Sequence, residues 1–165
     1  MAQIDEIWDV FKTVADAFTS VNQVIYGKPW DLNGNPRLNY PVILVDCQPD
    51  FTNLQAREGD DSEYLPIKKE YSFKVFFYDK YSLTDKKNSV ELQTKQAEIQ
   101  TIAEQYLGEC QRYFLNESAT GYHIKGFTNS GFFGYYEMHN DKVVQLTENI
   151  TVVAPSSCTK GTFSY

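Results

Sequence analysis

Apolar positions near the start of the chain recur at steps of three and four: Ile4, Ile7, Trp8, Phe11, Ala15 and Phe18. That spacing puts them on one stripe of a helix, which the pattern predicts over residues 3–22, docked by one face on a sheet. Asp5, Glu6 and Asp9 lie in or near its first turn, where the helix dipole favours negative charge. The run "GKPWDLNGNPRLNYP" then interrupts regular structure with internal prolines, glycines and Asn or Asp residues. It reads as a loop with room for a short β-excursion.

The period changes at Tyr40. "YPVILVD" is a short continuous apolar run of branched side chains, the pattern of a central strand covered on both faces. Residues 47–69 show little periodicity and hold the most acidic stretch, "REGDDSE"; a loop this long is functional or disordered. Alternation returns in "YSFKVFFYDKY", which packs six aromatic rings into eleven residues. Tyr71, Phe73, Val75 and Phe77 point one way and should meet the core. Ser72, Lys74, Phe76 and Tyr78 point the other way, a row that begins polar and turns aromatic.

After the polar turn "DKYSLTDKKN", an N-cap at Asn88 or Ser89 with Glu91 close behind opens the longest helix. Leu92, Ile99, Ile102, Ala103, Tyr106, Cys110, Tyr113 and Phe114 keep the helical period to near Asn116. Gln93, Lys95, Gln96, Glu98, Gln100 and Glu104 form the opposite, polar face. The rest reads as three strands, "YHIKGFT", "FFGYYEMH" and "DKVVQLTENITVVA", with a two-residue hairpin turn at Asn140-Asp141. In the last strand Val144, Leu146, Ile150 and Val152 share a dry side, and Gln145, Thr147, Asn149 and Thr151 a wet one. Pro155 ends it. The elements predict a single α+β domain over residues 1–153, followed by an extended C-terminal tail, 154–165. Its sheet is expected to be mixed or mainly antiparallel, of about four to six strands, with the N-terminal helix and the long helix packed on it.

Charge narrows the function. Fifteen Lys and Arg stand against twenty-two Asp and Glu, a net −7, so the cations that grip a duplex are lacking. Passive contact with passing DNA is compatible with this balance, because an acidic wall gives phosphate no resting place. Twelve Tyr and eleven Phe exceed what one small core hides. The surplus belongs at subunit contacts or in a larger-than-usual core. Cys47, Cys110 and Cys158 form no CxxC and leave an odd one over, as expected for free thiols in a reducing compartment. "MAQIDEIWDV" lacks the features of a signal peptide, and no apolar run approaches the ~18 residues of a membrane span. Without secretion, the glycosylation patterns at Asn116 and Asn149 read as coincidences.

Catalytic readings fail on parts. His123 and His139 have no second His or Cys at ligand spacing, and Glu137 with His139 makes only two groups on one strand face. No GxSxG elbow, Walker loop or GxGxxG occurs. A metal-dependent nuclease would pair Asp50 with Glu70 and need a lysine two residues further on; residue 72 is Ser, and Asp79 and Lys80, being adjacent, face opposite ways. Asp46 and Asp79 read as caps of strand-ending turns, and Cys47 and Cys110 as core or near-core thiols. No catalytic residue, cofactor or metal is expected.

The order of helix, "NYPVILVD", aromatic strand ending "FFYDKY", long Gln-rich helix and terminal hairpin resembles the tail-terminator and head–tail joining proteins of tailed bacteriophages, over residues 1–153. The "GKPWDLNGNPRLN" loop and the tail after Pro155 depart from that pattern. The resemblance implies a structural subunit of the virion, made in the host cytoplasm, with no membrane partner. Its partners would be copies of itself in a closed ring, neighbouring portal, neck or tail-tube proteins, and passing genomic DNA bound without sequence specificity. On that reading Phe76, Tyr78, Phe163 and Tyr165 lie near a subunit contact. Glu58, Asp60, Asp61 and Glu63 form a channel or docking loop, or else a solvated one. Lysine at Glu58, Asp60 and Asp61 should then slow DNA passage. A monomeric ligand- or peptide-binding module, and less readily the nuclease, are the alternatives.

Overall fold

A computed structural model of the protein describes residues 3–33, 38–54, 68–80, 88–116, 122–138 and 141–154. Along them run α1 (Gln3–Ala17), β1 (Gln23–Gly27), α2 (Pro29–Asn33), β2 (Val42–Asp46) and β3 (Asp50–Leu54). Then follow β4 (Lys68–Lys80), α3 (Asn88–Asn116), β5 (His123–Met138) and β6 (Asp141–Ala154). The strands make one mixed sheet in the order β1-β2-β4-β6-β5, with β3 beside β4 as well. Among the described residues only β1 and β2 pair in parallel, and the other pairings are antiparallel. This is the expected α+β architecture, with α1 and α3 on one face of the sheet.

Under those helices lies the main core. Phe73, Val75 and Phe77 of β4 rise into it with Ile43 and Val45 of β2 and Val144, Leu146, Ile150 and Val152 of β6. Phe11 meets Phe73 edge-on at 5.5 Å and Phe114 at 6.1 Å, and Phe77 meets Tyr106 at 6.0 Å. The buried Tyr106 hydroxyl donates to the Phe11 carbonyl at 2.7 Å, so one bond ties α3 to α1 without leaving a polar atom orphaned. Each such ring contributes ~1.5–3 kcal/mol by leaving water.

The opposite face holds a second, smaller core of Leu32, Val42, Leu44, Phe76, Tyr78 and Val143, with Ile25, Leu38 and Tyr40 packed against it. β2 is therefore covered on both faces, as its unbroken apolar run implies. The cover on this side is α2 together with the segment at 38–40.

Several boundaries differ from expectation. The N-terminal helix stops at Ala17, not at residue 22. Thr19, Ser20 and Asn22 compete for backbone hydrogen bonds, and turns close from Phe18 to Ala15 and from Val21 to Phe18. β1 fills residues left unassigned between the expected helix and the expected loop, α2 occupies ground expected to be loop, and β3 lies inside the long aperiodic stretch. β2 and β3 run along the same edge of β4. Five steps from Val45 to Asp50 oppose three from Val75 to Ser72, so the chain bulges out around Cys47 and the turn chemistry there hid the strand. The two strands expected at 122–139 are one, β5, whose turn-like residues at 129–131 are absorbed as a bulge because both flanks pair with β6. Asp141 belongs to β6 and pairs with Met138, so the turn expected at Asn140-Asp141 does not include Asp141; residues 139 and 140 lie outside the described ones. The wet side of β6 is half dry: Gln145 and Thr147 are buried and bond each other at 2.7 Å.

Candidate functional site

Of the residues expected at a subunit contact, Phe76 and Tyr78 are corrected. They stack at 6.2 Å inside the second core and are 8% and 1% exposed. Leu32 and its neighbours cover them, so one chain satisfies both rings and leaves nothing for a second copy to bury. Phe163 and Tyr165, and the loop acids Glu58, Asp60, Asp61 and Glu63, lie outside the described residues, as do His139 and Cys158.

The carboxylates that were weighed as chemistry are engaged as structure. Asp46 ends β2 and accepts from Lys28 Nζ at 2.5 Å and from the Gln48 amide at 2.9 Å, the expected turn cap reinforced by a largely buried ion pair. Asp79, next to the end of β4, accepts from the Lys80 amide at 2.8 Å and faces Lys95 Nζ at 3.4 Å. Lys95 also meets Glu98 at 3.0 Å. Burial works against its charge, but the Glu98 hydrogen bond and the Asp79 charge outweigh that and hold the ammonium above its ordinary pKa. A lysine held protonated is no nucleophile. These residues line a groove of about 750 Å³ with Ser20, Pro41, Thr101 and Ile102.

Asp50 and Glu70 share the sheet face away from the helices, but Glu70 is taken by Lys125 at 2.7 Å and Ser72 stands opposite Asp50. Among the described residues no group of three or more His, Cys, Asp or Glu side chains is placed to hold a metal. Cys110 is buried; desolvation pushes its thiol well above the ordinary range, so it is inert as a nucleophile. Cys47 is half-buried. No helix among the described residues is long and apolar enough to cross a membrane.

What the geometry leaves conspicuous is surface. Trp30 is 67% exposed on α2, with Lys28 Nζ 5.7 Å from its ring centre. Phe51 is 63% exposed on the outer strand β3, touching Tyr71 at 6.2 Å between ring centres. On the helical side, a second hollow of about 480 Å³ opens between the last turns of α1 and α3. Sequence reasoning placed Trp30 in a loop and Phe51 in an aperiodic stretch. The signal available was that each is a large ring set among polar and turn-forming residues.

Comparison with known proteins finds no family model and no curated relative that matches this chain.

Proposed function

We propose that the protein is a non-enzymatic building block of a tailed-phage particle, a subunit of a ring at the neck or tail end that joins head and tail around the DNA channel. The observation that carries the reading is the unlike finish of the two sides of the sheet. Two helices close one side; among the described residues the other is covered only around Phe76, Tyr78 and Val143, and Trp30 stands exposed on the helix that covers it. Unlike sides suit a head-to-tail contact, which uses each of two different surfaces once and, where the rotation closes, gives a ring. The element order along residues 1–153 supports the same class. The engagement of Asp46, Asp79 and Glu70 in ion pairs supports a structural role over a catalytic one.

Negative-stain microscopy of the purified chain tests this: closed rings are expected. Particles of 19.0 kDa at every concentration would favour the second reading, a monomeric ligand-binding module, for which the groove beside Asp79 and Lys95 is the specific observation. Divalent-metal-dependent DNA cleavage lost on changing Asp50 or Glu70 would overturn both.

A further inference from the structure

The exposed charges are sorted between the two sides of the molecule. On the helices, Asp5, Asp9, Asp16, Glu98, Glu104 and Glu109 are exposed, against Lys12 and Arg112. Among the described residues the exposed charges on the open half of the sheet are Lys74, Lys80 and Lys125, the last paired with the half-buried Glu70, against Asp50. Among the described residues, then, the open side of the sheet is richer in exposed cations and the helical side in exposed acids.

Shape is sorted in the same way. Trp30 projects from α2, which covers the sheet on the cationic side, since Leu32 of the same helix is sealed into the second core. The hollow lies on the acidic side, walled by Val14, Ala17, Phe18 and Tyr113, with Glu109 and Arg112 at its rim. At about 480 Å³ it has room for an indole. A buried aromatic anchor in an apolar pocket, ringed by complementary charge, is the arrangement that concentrates binding energy at protein interfaces.

From this we infer that Trp30 of one copy docks in the α1–α3 hollow of the next, while the lysines of the open sheet side face the acids of the neighbour's helices. The occupant is a second copy because the knob, the hole and both charge signs are on the same chain. The two surfaces differ, so the contact is heterologous and propagates in one direction until it closes. This inference rests on the ring reading and names the contact that builds the ring.

The test uses two substitutions at exposed positions, Trp30→Ala and Ala17→Arg, the second filling the hollow from its own wall. Thermal melts check that both fold as the parent does. In sedimentation velocity the parent chain is expected to form a closed oligomer, and each variant to associate at least about tenfold more weakly. Mixing the two variants is the sharper measurement. The Trp30→Ala chain keeps a good hollow and the Ala17→Arg chain keeps a good Trp30, so together they have one working contact and no way to extend it. A one-to-one pair of twice the 19.0 kDa chain mass is expected. Lys74→Glu should weaken assembly less and reduce its salt dependence.

If the parent chain forms rings and both variants do too, the docking inference is wrong while the ring reading stands. A parent chain that stays monomeric up to millimolar concentration overturns both. A parent that stops at a two-fold dimer overturns the head-to-tail contact.

Discussion

The two faces of this sheet are closed by different means. On one, fifteen residues of α1 and twenty-nine of α3 lie across β4 and β6, and the core beneath them runs through both helices and most of the sheet. On the other, the cover among the described residues is a five-residue helix and a short segment at 38–40, and the apolar cluster beneath it reaches Phe76, Tyr78 and Val143. Beyond that cluster the same face carries Ser72, Lys74, Asn149 and Thr151, exposed or half-buried. A single strand, β4, therefore crosses from a polar surface into a core along one row of alternate residues. The difference teaches that two cores in place of one take up aromatic rings within the chain, and that among the described residues Trp30, Phe51 and Phe133 are the rings left exposed.

The largest expected effect comes from breaking the helical side. Phe77→Ala removes a ring that is 1% exposed and packs on Tyr106, in a core too well tied to collapse around the hole. It should cost ~3–5 kcal/mol in urea denaturation, across one cooperative transition. Leu32→Ala in the second core should cost less, ~2 kcal/mol, because the short α2 can settle into the space. Hydrogen exchange sharpens the contrast: Leu32→Ala should raise opening at 29–33 and along β2 while α3 keeps its protection. Equal loss of protection in α3 would mean that the two cores are one cooperative unit.

That second core is also where sequence reading stopped short. The helical side was legible because its signals are periodic: the stripe from Ile4 to Phe18, and the run along α3 from Asn88 to Asn116, each repeat over several turns. α2 is one turn long, too short for a period to register, and its Trp30 and Leu32 sit among Pro, Asp, Asn and Gly that carry turn chemistry. Without α2, the row of Phe76 and Tyr78 had nothing in the chain to cover it, and a subunit contact was the natural expectation. β3 was hidden for the same kind of reason, since in "DFTNL" the apolar residues are Phe51 and Leu54, three apart, which breaks the alternation of a strand. Of the contact surface, the rings could be counted from the sequence, but which ones stay wet depends on long-range packing.

A smaller effect is expected where α1 meets the strand end. Tyr122 donates its hydroxyl to Glu6, joining the segment before β5 to the first turn of α1. Burial, then the hydrogen bond and the charge of Glu6, push the phenol well above its ordinary value of 10.0. The folded state therefore keeps a proton that the unfolded state releases near that value. The stabilisation is complete below the ordinary value and is lost as pH rises above it. Tyr122→Phe should cost ~1 kcal/mol at neutral pH and make the alkaline decline shallower, measured by urea titrations at pH values on either side of the ordinary phenol range. A variant whose alkaline decline is as steep as the parent's would place that linkage on another buried phenol such as Tyr106, which burial also raises.

The smallest effect tests the helical side at the one place where its dry row is interrupted. Glu148 stands between Leu146 and Ile150 on β6 and opposite Val75, on the side that α3 covers. β5 bulges opposite it: four steps from Thr128 to Phe132 oppose two from Asn149 to Thr147. Burial, and then the charge of Glu104, raise its carboxyl above the ordinary 4.5. A carboxyl that binds its proton more tightly when folded makes stability fall as pH rises from the ordinary value through the folded one, and stay lower at neutral pH. Glu148→Gln keeps the shape and removes the charge. It should stabilise the protein at pH 7 by less than ~1 kcal/mol and leave it unchanged well below the carboxyl range. Glu104→Gln should act in the same direction and more weakly, since it relieves only the second cause. Loss of stability at pH 7 on Glu148→Gln would show instead that the carboxylate is held by a partner, and that the helical side is anchored at this point by charge.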